Sequence, residues 1–168
     1  LGLQGSRCLV SAENVNREMD GTWVFRGSVI FTGALTGSAL TARIFPDGTL
    51  ELTRHQEDIP MEATTVDGYK VRAKADWIRA HSGGKIELKY GIDAQATTPT
   101  GEVHRITGKL AEASRLEGWV AGEAKLWSGD LHCLGQRLWW ASDEFEVARV
   151  FLQGGARFYH PQSEGRAH

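Results

Sequence analysis

Six histidines, two cysteines and one polar knot are the residue types in this chain that could carry chemistry. His55, His81, His104, His132, His160 and His168 are scattered, with no His-x-His, His-x-x-x-His or Cys-x-x-Cys spacing. Zinc sites usually announce themselves by such local pairs, so the sequence predicts no metal centre and no metal-holding barrel of the cupin kind. Gly-x-Ser-x-Gly is absent, and neither Cys8 nor Cys133 has the setting of an activated thiol. Gly33-Ala34-Leu35-Thr36-Gly37 follows a strand pattern but opens no helix, so it reads as a turn and not as a phosphate loop. No cofactor is predicted.

What remains is hydrogen-bonding chemistry. Arg54-His55-Gln56-Glu57-Asp58-Ile59 is the densest polar cluster. If Leu50 and Leu52 face inward, alternation carries Arg54 and Gln56 inward as well, where Gln56 could orient a ligand carbonyl. If the strand has already left the sheet, both are solvated rim residues, and the usual exposure of polar clusters at strand ends favours this second reading. His104 shares a face with Ile106, Gly108 and Leu110, which predicts an inward ring. A lone histidine on an apolar face is more often satisfied by a backbone partner than catalytic. Tyr69, Trp77 and Tyr90 fall on the apolar faces of two neighbouring strand patterns. They could line a pocket with their hydroxyls as polar handles, or serve as ordinary core.

Strands must position these groups. Tyr69 through Trp77 alternates apolar and charged residues over its whole length, the signature of a half-buried strand. The same period of two runs through Trp23–Phe31, Leu40–Ile44, Leu50–Leu52 and Ile86–Ala96. Pro46-Asp47-Gly48, Asp67-Gly68, His81–Gly84 and Thr97–Gly101 supply the turns. Residues 102–112, 115–127 and 131–140 read as further strands, and 156–160 as a last one. Ser11–Met19 is expected to make a short helix that plugs or covers one end. Residues 142–153, opening on Ser142-Asp143-Glu144 and closing on Gly154-Gly155, read as a C-terminal helix. The expected fold is all-β: one antiparallel up-and-down barrel of the lipocalin-like kind, with a two-sheet sandwich as the alternative. The organisation is an N-terminal extension or lid over 1–20, a barrel over 21–160 and a tail over 161–168.

Composition narrows the partners. The 168 residues suit a single domain, and a net charge of −2 with both signs interspersed gives no footprint for nucleic acid. No apolar stretch approaches the roughly 20 residues that cross a bilayer. The chain opens on Leu1, which predicts that an upstream segment was cleaved or left out. A cytoplasmic location is the expectation, with secretion or the periplasm left open. Cys8 and Cys133 are open to either a single disulfide or two free thiols. Six tryptophans are many for this length and suit an aromatic-lined cavity, or the capping of barrel ends. Trp119 and Trp127 fall with Glu117, Glu123 and Lys125, away from the small apolar face of 116–127. Tryptophans on the outer face imply a covering helix or a subunit interface, and a homodimer is expected.

Two resemblances attach to particular residues. Gly21-Thr22-Trp23 resembles the Gly-x-Trp of the lipocalins and related calycin barrels, although the Thr-Asp-Tyr element is missing. That resemblance implies that Trp23 closes the barrel floor, covered by an arginine of the last strand, Arg149 or Arg157. His55-Gln56-Glu57-Asp58-Ile59, Asp67-Gly68 and Ala73-Lys74-Ala75-Asp76 are similar to a stretch of the β-barrel cyclases of spirotetronate and spirotetramate biosynthesis. This second likeness covers roughly a quarter of the chain. It implies an intramolecular [4+2] cycloaddition of a polyene, which needs a shaped apolar cavity and a few polarising donors but no nucleophile or metal.

Three functions follow as expectations. The first is a cofactor-independent cyclase in natural-product biosynthesis, with Gln56, Tyr90 and His104 as catalytic donors and Tyr69, Trp77 and Trp23 against the substrate. The second is a non-catalytic carrier of a hydrophobic small molecule. The third is an interaction barrel with a filled core, using Trp119 and Trp127 for assembly.

Overall fold

In the computed structural model the chain is described over residues 7–55, 57–114, 116–143, 146–160 and 163–166. The described residues form strands and turns, with no helix. In chain order the strands are β1 (Cys8–Ser11), β2 (Asn14–Arg17), β3 (Trp23–Gly33), β4 (Leu35–Ile44), β5 (Leu50–Thr53), β6 (Met61–Thr64), β7 (Lys70–Lys74) and β8 (Trp77–Ala80). They continue as β9 (Ile86–Thr97), β10 (Val103–Ala113), β11 (Glu117–Ser128), β12 (Leu131–Asp143), β13 (Glu146–Gln153), β14 (Arg157–His160) and β15 (Ser163–Arg166).

Every pairing is antiparallel, and the hydrogen-bonded neighbours close into a ring of six: β4, β5, β8, β9, β7, β6 and back to β4. The other strands extend the sheet on both sides, β3 with β1 and β2 beyond β4, and β10 through β15 beyond β9. This closed antiparallel barrel is consistent with a calycin-like fold. Its turns are those the dipeptides dictate. Asp47 accepts the Thr49 amide at 2.8 Å, Gly48 donates to the Phe45 carbonyl, and Gly68 donates to the Thr65 carbonyl.

One transverse row explains the core. Phe25, Ala42, Leu52, Ile78, Leu88, Ala111, Val120, Leu138 and Leu152 are successive register partners across the sheet. All nine point to one face, where they belong to or pack against a single hydrophobic cluster. Each fully buried aliphatic side chain of this kind contributes about 1.5–3 kcal/mol. A parallel inner row runs from Met61 through Ala73, Ala94, Ile106, Leu126 and Cys133 to Phe158.

Bulges roll the sheet around this core. One extra residue enters β3 at Gly27-Ser28, β9 at Tyr90-Gly91 and β11 at Gly122-Glu123, each pair holding positive φ. Such insertions bend a strand and increase its twist.

Two expected helices are strands instead. Residues 8–11 and 14–17 lie along β3, because Asn14 and Asn16 are poor helix formers and the edge of β3 offers unpaired backbone groups. Residues 146–153 form β13 on the edge of β12, with Val150 and Leu152 packed against the core. Burial there overrides the capping signal at Ser142, while positions 144 and 145 lie outside the described residues. In the expected tail, Ser163–Arg166 adds β15 to β14. Cys8 is exposed and Cys133 buried, and the two are not bridged. Burial pushes the Cys133 thiol up from its ordinary pKa. No helix among the described residues is long and apolar enough to cross a membrane.

Candidate functional site

The expected catalytic groups do not converge. Gln56 lies outside the described residues. Tyr90 sits on the β9 bulge with φ 60° and is 59 % exposed, which corrects the expectation that it lines the interior. His104 does face inward, opposite Ala96 and Ser128, with Nδ1 2.9 Å from Ser128 Oγ and Nε2 buried without a partner among the described residues. Ala96 is six residues along β9 from Tyr90, so these two candidates are separated by roughly 20 Å of strand.

The expected substrate-contacting residues are dispersed as well. Trp77 pairs with Thr53 and Lys89 on the outer face, and Lys89 Nζ stands 4.0 Å from its ring centre. The inward residue of that strand is Ile78. Alternation slips by one at Ala75-Asp76, alongside the β9 bulge, where the Asp76 amide donates to the Tyr90 carbonyl. Tyr69 is half-buried beside the 65–69 turn, where its carbonyl accepts from the Thr65 amide and its own amide donates to Thr65 Oγ1. Trp23 is 44 % exposed at the start of β3. The cation over its ring is Arg17, 5.4 Å away on the paired strand β2, and Arg149 is exposed on β13.

Arg54 is the polar residue that turned inward, and it is 3 % exposed. It fills the interruption between β5 and β6. Its guanidinium donates to the carbonyls of Ser38, Ala75, Asp58 and Ile59, at 2.9, 3.3, 3.2 and 2.7 Å. Desolvation lowers its pKa, while the charges of Asp58 and Asp76 act in the opposite sense. Each of its three nitrogens donates to backbone, so Arg54 ties the ring of six strands together and presents no free fork to a ligand.

The concave surfaces lie elsewhere. A cleft of about 500 Å³ opens on the outer face over β11, β12 and β13. Trp119, Trp139 and Phe151, successive partners in one outer row, line it. Lys85 and Glu112 form its polar side, joined at 3.0 Å, and Lys85 also lies 3.6 Å from Glu87. The hydrogen bond to Glu112 raises the Lys85 pKa. Glu87 accepts a 2.8 Å bond from His81 and is held below the usual carboxylate range, first by that bond. A second cleft, about 430 Å³, is mixed in lining and runs past Thr36, Ala63, Val71 and Gln95, with Arg72 and Glu62 paired at 3.3 Å. Among the described residues no group of three or more His, Cys, Asp or Glu side chains could hold a metal ion.

Trp119 and Trp127 are outward as the sequence predicted, but Trp139, Phe151 and Arg137 were not singled out. The signal was present. The two-residue turn Gly129-Asp130 fixes the β11–β12 register, and the Gly122-Glu123 bulge shifts it by one, bringing Trp139 opposite Trp119. No protein-family model matches the chain, and no curated protein matches it either.

Proposed function

We propose that this protein binds a flat, largely apolar small molecule on the outside of its barrel, in the cleft over Trp119, Trp139 and Phe151. The observation that carries the reading is the cleft itself: three outward aromatics in one row, beside a polar Lys85–Glu112 edge. Ligand sites are typically concave and apolar with a few placed polar groups, and this cleft has that make-up. Carriage is favoured over catalysis, because Tyr90 and His104 stand far apart on opposite faces. A [4+2] cyclase of the kind the resemblance implies would have to fold its polyene in this same cleft, since rows of core side chains fill the inner face.

The neutral fluorophore N-phenyl-1-naphthylamine tests the site. It should brighten on binding to the wild type and lose most of that signal with Trp139→Ala. Equal binding by both proteins would remove the cleft from consideration. Incubation with linear polyenes, followed by chromatography for an isomer of unchanged mass, separates carriage from cyclisation. An isomer formed by the wild type and not by Trp139→Ala would favour the cyclase.

A further inference from the structure

We propose that Arg137 is the anchor for an anionic end of the ligand in this cleft, which makes that ligand an apolar or aromatic carboxylate. The proposal rests on the cleft being the binding site. It comes from comparing two arginines that each lie over tryptophan on the outer face.

On the outer face, tryptophan rings carry cations. Lys89 covers Trp77, Arg105 lies 5.4 Å from the Trp127 ring centre, and Arg137 lies 4.9 Å from Trp119 and 5.3 Å from Trp139. Stacking on a ring face fixes a guanidinium plane and leaves its N–H edge directed sideways. In Arg105 that edge is filled: Nε and Nη2 donate to the two oxygens of Asp93, both at 2.8 Å. Arg137 is held by two rings, yet among the described residues no carboxylate, carbonyl or hydroxyl accepts from it. Its register partners are Ala121 and Gln153, neither of them acidic. Glu123, the nearest acid along β11, sits on the bulge with φ 57° and makes no pair with it.

Arg137 is thus a guanidinium held over two rings and lacking the planar oxyanion that its counterpart holds. The rings that fix it are Trp119 and Trp139, which also line the cleft. A ligand with its apolar body over Trp139 and Phe151 would bring a carboxylate to that guanidinium. The cation that lines the cleft is taken, and its acidic partners sit on β9 and β10, two strands or more from Arg137 on β12. Lys85 is already neutralised by Glu112 and Glu87. Glu117 lies at the opposite end of the cleft, four residues along β11 from the partner of Arg137, roughly 13 Å away and beyond the screening length in physiological salt.

The test displaces N-phenyl-1-naphthylamine with 2-naphthoate and with 2-naphthamide, which share a ring and differ in charge. The wild type should prefer the naphthoate by about tenfold, the scale of a charge-assisted bidentate pair. Arg137→Gln should bring the naphthoate down to the level of the amide, with the urea midpoint reporting that the variant is folded. Arg137→Lys should keep part of the preference, because charge survives and the fork does not. Equal affinities in the wild type, or a preference that survives Arg137→Gln, would overturn the anchor while the cleft reading stands. Failure of both compounds to displace the probe would overturn the cleft and the anchor together.

Discussion

The Trp140 indole occupies the space that a side chain at position 118 would need: a Cβ built on Gly118 would fall inside the Trp140 six-membered ring contacts. The two residues are register partners on β11 and β12, and both border the aromatic cleft. Gly118 is therefore retained for close approach of a ring and not for a turn. Gly118→Ala should destabilise the fold by about 1–3 kcal/mol, the usual cost of overpacking. It should also weaken probe binding, because displacing Trp140 disturbs the adjacent Trp139. Urea unfolding and the fluorophore titration measure the two effects, and an unchanged midpoint would mean that the indole swings away freely.

Arg54 makes a stronger demand. Replacing it with Met keeps the length of the stem but leaves four strand and loop carbonyls without their donor. Stranding buried acceptors in this way costs about 1–3 kcal/mol for each group left unsatisfied. Arg54→Lys should recover little, since one ammonium cannot reach all four acceptors. Equilibrium unfolding of both variants gives the answer. A loss below about 1 kcal/mol, the level of a solvated surface pair, would show that the β5–β6 interruption holds without it.

Much of this architecture was written in the alternation of single segments, and the errors have a common cause. Trp23–Phe31, Leu50–Leu52 and Ile86–Ala96 announced strands, and Trp119 with Trp127 announced an outer face. Period-two reasoning fails wherever a residue is inserted, because one extra position sends every later side chain to the opposite face. At Tyr90-Gly91 that put Tyr90 outside, and at Ala75-Asp76 it exchanged Trp77 for Ile78. The buried role of Arg54 was equally hidden, since a polar cluster after a strand ordinarily signals solvent. The cleft required the β11–β12 register, and no single segment contains that information. Edge strands β1, β2 and β13 escaped because their pairing is decided by the neighbour and not by local propensity.

The ionic edge of the cleft should respond to acid. Glu87 is held below its ordinary pKa chiefly by the hydrogen bond from His81, with partial burial opposing and the Lys85 charge assisting. A depressed folded-state pKa contributes stability above the unfolded value of about 4.3 and loses it as pH falls through the folded value. Urea midpoints at about pH 6 and about pH 3 should therefore converge more closely in Glu87→Gln than in the wild type. The pair lies at the surface and stays partly exposed, so the difference should stay within about 1 kcal/mol and shrink in high salt. An identical acid loss in both proteins would assign that loss to other carboxylates.

The slip at Ala75-Asp76 can be tested with two adjacent residues. Ile78 is 6 % exposed and sits in the transverse core row between Leu52 and Leu88. Trp77 faces outward beneath Lys89. Uninterrupted alternation from Tyr69 would reverse these roles and make Trp77 the larger loss. The observed register predicts the opposite, although tryptophan has the bigger side chain. Ile78→Ala should cost about 2–5 kcal/mol through lost burial and a cavity that the rigid row cannot close. Trp77→Ala removes a half-exposed ring and one cation contact, so its cost should be nearer about 1 kcal/mol. Comparison of the two midpoints in urea decides the register. A larger loss for Trp77→Ala would return the tryptophan to the inner face and, with it, the possibility of a site inside the barrel.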